Sequence, residues 1–174
     1  MKVCICSSAN ADIRDEYYKD CENALNYVLK YNDLVFGAYD TGLMGLCYKI
    51  AKENNKRITG IAPEVYADSF DRLECDEEIV TMKIMDSTKA MLDVSDAVII
   101  MPGGFGTVYE FFAAIQMIVC KESNIPIILY NSCGYYNSLI ESINKIYQTG
   151  FASSSTVNYF KIANNVEELK NILQ

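Results

Sequence analysis

The chain has 174 residues, 51% hydrophobic and 22% charged, which suits one domain with a sizeable core and excludes global disorder. Its formal net charge is -8 with no Lys/Arg cluster, which argues against nucleic-acid polymers as partners but not against a single nucleotide, since backbone amides can hold a phosphate. It has no histidine, which excludes Ser-His-Asp and Cys-His catalysis and the usual zinc sites, leaving carboxylates, hydroxyls, lysines, arginines or the backbone to do any chemistry.

Lys2–Cys6 reads as a first strand ending in Ser7-Ser8-Ala9-Asn10. This opening run is too short for a signal peptide, and no run approaches membrane-spanning length, so the sequence predicts a cytoplasmic protein with no membrane partner. Asp15–Lys30 reads as a helix with Tyr17, Cys21, Ala24, Leu25, Val28 and Leu29 on one stripe. Asp33–Gly37 is a second strand, and Asp40–Asn54 a loop entering a helix. Ile58–Ile61 is a third strand stopped by Pro63, followed by a mixed polar loop over Ala62–Cys75. Glu78–Met82 reads as a short strand and Lys83–Val94 as a helix. Ala97–Met101 is a strand, Val108–Val119 a helix, Pro126–Tyr130 a strand and Tyr136–Thr149 a helix. Tyr159–Ile162 is a last short strand before the amphipathic helix Asn165–Leu173.

Strands and helices alternate with short links throughout. The pattern predicts one domain over residues 1–174, an α/β doubly wound fold with a mostly parallel sheet and helices on both faces. Ligands of such folds lie outside the carboxyl ends of the strands, so the loops after Cys6, Phe36, Ile61, Met101 and Tyr130 are the candidates. The seven cysteines are odd in number and scattered, which predicts free buried thiols.

The most informative loop is Pro102-Gly103-Gly104-Phe105-Gly106-Thr107, between a buried strand and a helix. Three glycines in four positions cost backbone entropy, and such a turn aims several N–H groups and a helix dipole at one place, which suits a phosphate. Thr107 adds a hydroxyl that can cap the helix. Glu110 has two readings: a carboxylate favourably placed near a helix N-terminus, or one facing a bound sugar to stabilise an oxocarbenium-like transition state. A second loop holds Gly42 and Gly45, spaced for a tight turn and close helix packing. A third, Asn131–Asn137, carries paired tyrosines that either line a site or sit in the core. Asp86 and Lys89, three apart on one helix, form a surface ion pair or face the pocket. No GxGxxG follows the first strand and no Walker sequence exists, so dinucleotide cofactors and ATPase chemistry fall away.

These motifs give the sequence a clear resemblance to the LOG, or lysine-decarboxylase-like, family, whose second name is a historical misannotation. Pro102-Gly103-Gly104-Phe105-Gly106-Thr107-Val108-Tyr109-Glu110 matches its PGGxGTxxE, and Gly42-Leu43-Met44-Gly45 matches its GLMG. Ser7-Ser8 matches the serine pair after the first strand, and Asn131–Asn137 resembles its NxxGYYD segment. Phe36-Gly37-Ala38-Tyr39 stands where the family has YGGG.

The resemblance implies a Rossmann-like homodimer that hydrolyses the N-glycosidic bond of a purine nucleoside 5'-monophosphate, AMP or an N6-modified AMP, to free base and ribose 5-phosphate, with neither metal nor cofactor. It places Gly103, Gly104, Gly106 and Thr107 on the phosphate and makes Glu110 catalytic; Ser8, Gly42, Met85 and Pro102 join the substrate-binding set. The family also has MHxRKxxM, whose arginine counts as catalytic. Counted back from Met91 without a gap, Ser87 stands at the arginine and Thr88 at the lysine. Lys89 is one or two positions away, about 100–200 degrees round the helix, and is the remaining catalytic cation candidate. Two alternatives stay open: a nucleotide-binding or sensor protein of weak activity, and a nucleoside deoxyribosyltransferase-like enzyme with a carboxylate nucleophile. For the dimer, the apolar excess of Met85, Met91, Phe111, Phe112 and Met117 points to an interface on the helices over Lys83–Val94 and Val108–Val119.

Overall fold

The seven strands join in a single parallel sheet. The structure is a computed structural model that describes residues 1–153 and 156–173. Its strands are β1 (Lys2–Cys6), β2 (Asp33–Phe36), β3 (Ile58–Pro63), β4 (Glu77–Thr81), β5 (Ala97–Ile100), β6 (Ile127–Tyr130) and β7 (Lys161–Ala163). The helices are α1 (Asp15–Tyr31), α2 (Gly42–Glu53), α3 (Ile84–Asp93), α4 (Phe105–Val119), α5 (Asn137–Gln148) and α6 (Val166–Leu173).

The strand order is β4-β3-β2-β1-β5-β6-β7, with every pairing parallel. Strand periodicity sends Val3 and Ile5 to one face, where they pack with α1, α2 and α6. Cys4 and Cys6 go to the other face, among Met91 of α3, Phe111 of α4 and Ile143 of α5. With both faces covered, the inner strands β1, β2, β3, β5 and β6 are almost wholly buried, while the edge strand β4 is largely exposed. After β4 the chain returns to the middle of the sheet, so winding reverses between β1 and β5. The loops leaving those two strands diverge and open a crevice at their carboxyl ends.

Several boundaries differ from the sequence reading. Pro63 does not stop β3: it pairs with Thr81 of β4, while β2 reaches only to Gly60, so its missing N–H costs no bond to β2. The expected polar loop over Ala62–Cys75 contains a 3-10 segment, Glu64–Arg72. Its Arg72 guanidinium grips both carboxylate oxygens of Asp40, at 2.8 and 3.3 Å. α4 starts at Phe105 rather than Val108, which makes Gly104 the N-cap and puts Gly106 in the first turn. β7 lies at Lys161–Ala163, not Tyr159–Ile162. Of the seven free cysteines, four are buried, while Cys75 is half-buried and Cys120 and Cys133 are exposed. Among the described residues no helix is long and apolar enough to cross a membrane.

Candidate functional site

The crevice between β1 and β5 is a cavity of about 570 Å3, a size typical of small-molecule sites. Seven segments build it, among them α2 through Met44, β3 through Ile61 and Pro63, and the 3-10 segment through Tyr66. The loop after β1 brings Ser7, Ser8, Ala9, Asn10 and Ala11; the loop after β2 brings Gly37, Tyr39 and Thr41. α3 contributes Ile84, Ser87 and Met91. The start of α4 contributes Gly104, Gly106, Thr107 and Glu110.

The glycines divide their work. A Cβ on Gly103 would run into the Thr107 side chain, so Gly103 lets the turn close on the helix. A Cβ on Gly104 or Gly106 would meet nothing within 4 Å. Both line the cavity, so their missing side chains leave room for a ligand to approach the backbone. α4 has no side-chain cap, and its first intrahelical bond is Val108 N–H to Gly104 O at 3.0 Å. The N–H groups before Val108 are therefore the unpaired donors of a helix N-terminus, beside the cavity wall. Thr107 lines the cavity rather than capping the helix. Ser8 Oγ accepts the Asn10 N–H at 3.0 Å, which curls the first loop around the cavity.

Gly42 acts at one remove. Its φ is +60°, and an added Cβ would sit 2.5 to 2.8 Å from the backbone of Ser8, Ala9 and Asn10. It therefore lets α2 press against the first loop, helped by Met44 N–H donating to Ser8 O at 3.1 Å. Asn131–Asn137 lines no part of the cavity. Instead the Tyr136 hydroxyl donates to Met101 O at 2.6 Å and the Tyr135 hydroxyl to Gly103 O at 2.7 Å.

Glu110, one turn into α4, is 8% exposed, and its Oε2 is buried with no hydrogen-bond partner. Burial pushes its carboxyl from 4.5 up to about 7, while the Cys6 thiol beside it, as a hydrogen-bond donor, pulls the other way. Such a carboxyl is divided between its two forms near neutral pH, the range useful for proton transfer.

Met85 and Lys89 are not brought to this cavity. Lys89 forms an ion pair with Asp93 at 2.8 Å, one turn on, and not with Asp86. Met85, Asp86 and Lys89 instead line a second cleft, between α3 and α4, with Tyr109, Phe112 and Met117. Ser87 does face the cavity; it is buried and its Oγ lies 2.5 Å from Thr81 Oγ1. Thr88 is buried and bonded back to Ile84 O at 3.1 Å. Among the described residues no Lys or Arg lines the cavity, and Glu110 is its one carboxylate. Sequence reasoning missed the wall opposite the glycine turn, where Tyr39, Met44, Pro63 and Tyr66 gather. Tyr39 and Tyr66 meet edge to face at 6.5 Å. Only the approach of the 3-10 segment to the loop after β2, fixed by the Arg72–Asp40 pair, creates this wall.

Comparisons with known proteins show the family and the fold. A family described as "Possible lysine decarboxylase" matches residues 44–173. The chain is 28% identical over 175 residues to cytokinin riboside 5'-monophosphate phosphoribohydrolase LOG2 of Arabidopsis thaliana, spanning 99% of this chain and 82% of that protein. It is 33% identical over 172 residues to the LOG5 enzyme of the same name and plant, spanning 97% and 75%. Among solved structures, the one titled TM1055 superposes with a TM-score of 0.72 at 18% identity over 99% of this chain and 97% of its own. The molybdenum cofactor carrier protein of Chlamydomonas reinhardtii gives 0.67 at 16% over 99% and 94%. Identities this low show the shared fold alone.

Proposed function

The chain belongs to the LOG family, the one described as "Possible lysine decarboxylase", and on that premise we propose that it hydrolyses the N-glycosidic bond of a purine nucleoside 5'-monophosphate, AMP or an N6-modified AMP. The observation that carries the reading is Glu110. Glu110, whose Oε2 is buried without a partner, lines the same cavity as the uncapped N-terminus of α4. In the proposed complex the 5'-phosphate sits on the N–H groups around Gly104, Gly106 and Thr107, with the Ser8 hydroxyl nearby. Glu110 then faces the ribose, and the base lies toward Tyr39, Met44 and Tyr66. The bond from C1' to the base nitrogen breaks and its electron pair leaves with the base. Water oxygen bonds to C1', and the water proton passes to the base, directly or through Glu110. Ionised Glu110 stabilises the positive charge that develops on the sugar.

A second reading, a binding or sensor protein, is favoured by one observation: among the described residues the cavity is lined by an uncharged Ser87 and by no basic side chain. A panel of nucleoside monophosphates decides between them, with free base measured by chromatography and binding by calorimetry. Base release from AMP supports hydrolysis. Tight binding with no base release from any member refutes hydrolysis and leaves the sensor.

The protein is further proposed to be a cytoplasmic homodimer joined through α3 and α4. Met91 and Phe111 are taken by the core, but Met85 at 65% and Phe112 at 40% exposure remain beside the second cleft. Sedimentation should show a dimer that Phe112→Asp weakens; a wild-type monomer of 19.6 kDa at micromolar concentration refutes it.

A further inference from the structure

Gly103 and Gly104 have no side chains with which to hold the turn's shape, yet an anion cradle needs its N–H groups fixed. The structure shows what fixes them. Tyr135 and Tyr136, after β6, donate their hydroxyls to Gly103 O at 2.7 Å and Met101 O at 2.6 Å. Tyr136 is 2% exposed, and its own N–H is tied to Asn131 Oδ1 at 2.7 Å. Asn131 Nδ2 in turn holds Asn137 and Asn164, at 2.9 and 3.0 Å. The Tyr135 ring stands edge to face against Tyr17 of α1 at 5.5 Å and against Tyr136 at 4.8 Å. Both phenols are thus held before they meet the turn.

We infer that Tyr135 and Tyr136 are positioning residues for a bound phosphate, acting through the carbonyls of Gly103 and Met101. A trans peptide sets its C=O and N–H on opposite sides. Holding Gly103 O toward Tyr135 therefore aims the Gly104 N–H away from Tyr135, which does not line the cavity, while Gly104 does. Holding Met101 O fixes the end of β5, where Met101 N–H already donates to Cys6 O at 2.8 Å. Removing the Tyr135 hydroxyl leaves Gly103 O short of a partner and lets the Gly103–Gly104 peptide rotate toward the cavity; removing that of Tyr136 frees Met101 O, whose peptide to Pro102 carries no N–H, and loosens the strand end from which the turn springs. A rotated Gly103–Gly104 peptide presents oxygen to an anion where it had presented N–H.

The inference rests on the phosphate being held by this turn, so the experiment reads phosphate recognition and not base release. Affinities of AMP, adenosine and inorganic phosphate are measured by calorimetry for the wild type, Tyr135→Phe and Tyr136→Phe, with melting temperatures in parallel. Half-exposed Tyr135 is the safer substitution if buried Tyr136→Phe does not fold. Each variant should lose about tenfold for AMP and for phosphate, the size of one hydrogen bond to a charged site, with adenosine unchanged. Wild type that binds AMP and adenosine equally overturns the phosphate placement itself. Wild type that prefers AMP, with Tyr135→Phe keeping the same preference, overturns the positioning role alone. So does an equal loss for AMP and adenosine, which marks these tyrosines as merely structural.

Discussion

Because Glu110 is buried, its ionisation should be measurable as folding stability. Its carboxyl rises from 4.5 to about 7 in the folded chain, burial being the cause. Over that range the folded state keeps a proton that the unfolded state has lost. A raised folded value gives stability that is fully present below the unfolded value and is lost as pH climbs through the folded one. At about 1.36 kcal/mol for each pH unit separating the two values, the loss is about 3 kcal/mol by pH 8. About 1 kcal/mol of it is already gone at pH 5, so about 2.5 kcal/mol separates pH 5 from pH 8. Glu110→Gln keeps the shape and cannot ionise. The other groups titrate alike in wild type and variant and cancel in the difference, and no histidine crowds the same range. Urea unfolding at pH 5, 6, 7 and 8 should therefore show the variant gaining about 2.5 kcal/mol on wild type, or about 5–10 °C in Tm for a chain of this size. A difference that stays flat from pH 5 to pH 8 refutes the argument, because it means the folded carboxylate is as well solvated as the unfolded one.

In catalysis the same Glu110→Gln change should cut base release about 100-fold while AMP affinity moves less than about threefold, a transition-state loss of about 3 kcal/mol; a loss confined to KM would place Glu110 in binding only. Gly104→Val should melt near wild type, because its Cβ meets nothing within 4 Å, yet lose at least about tenfold in AMP affinity by calorimetry. Gly103→Ala should instead lower the melting temperature, since its Cβ overlaps Thr107. Wild-type AMP affinity in Gly104→Val sinks the cradle. Cys6→Ala removes the thiol that holds the Glu110 carboxyl down, so the rise of activity with pH, centred near 7 in wild type, should move to higher pH. A pH–rate profile unmoved by that change shows that the thiol does not act on the carboxylate.

The strands were legible because a sheet covered on both faces demands unbroken apolar runs, and Val3–Cys6 and Ala97–Met101 supply them. The glycine turn was legible because three glycines at a strand end have few other uses. The start of α4 was not, because Phe105 points into solvent at 97% exposure and Gly106 interrupts the pattern, so periodicity began at Val108. The tyrosine wall was invisible for a different reason: Tyr39 and Tyr66 meet only through tertiary contact, and nothing local to either signals it.

Lys89 shows what spacing alone fails to decide. It and Ser87 are two residues apart on α3, roughly 200 degrees round the helix, so only one of them can face the cavity. The face is taken by Ser87, and Lys89 turns to Asp93. The electrostatic consequence reaches Glu110. A cation in the cavity would favour its ionised form and oppose the rise that burial causes. With a hydroxyl at 87, the N-terminus of α4, worth roughly half a charge, is the one fixed positive field that the described residues offer the proposed ligand. A bound phosphate then leaves uncompensated negative charge near a carboxylate that already ionises only near pH 7. On the proposed placement, ligand binding should therefore oppose Glu110 ionisation, and nucleotide binding near neutral pH should take up protons.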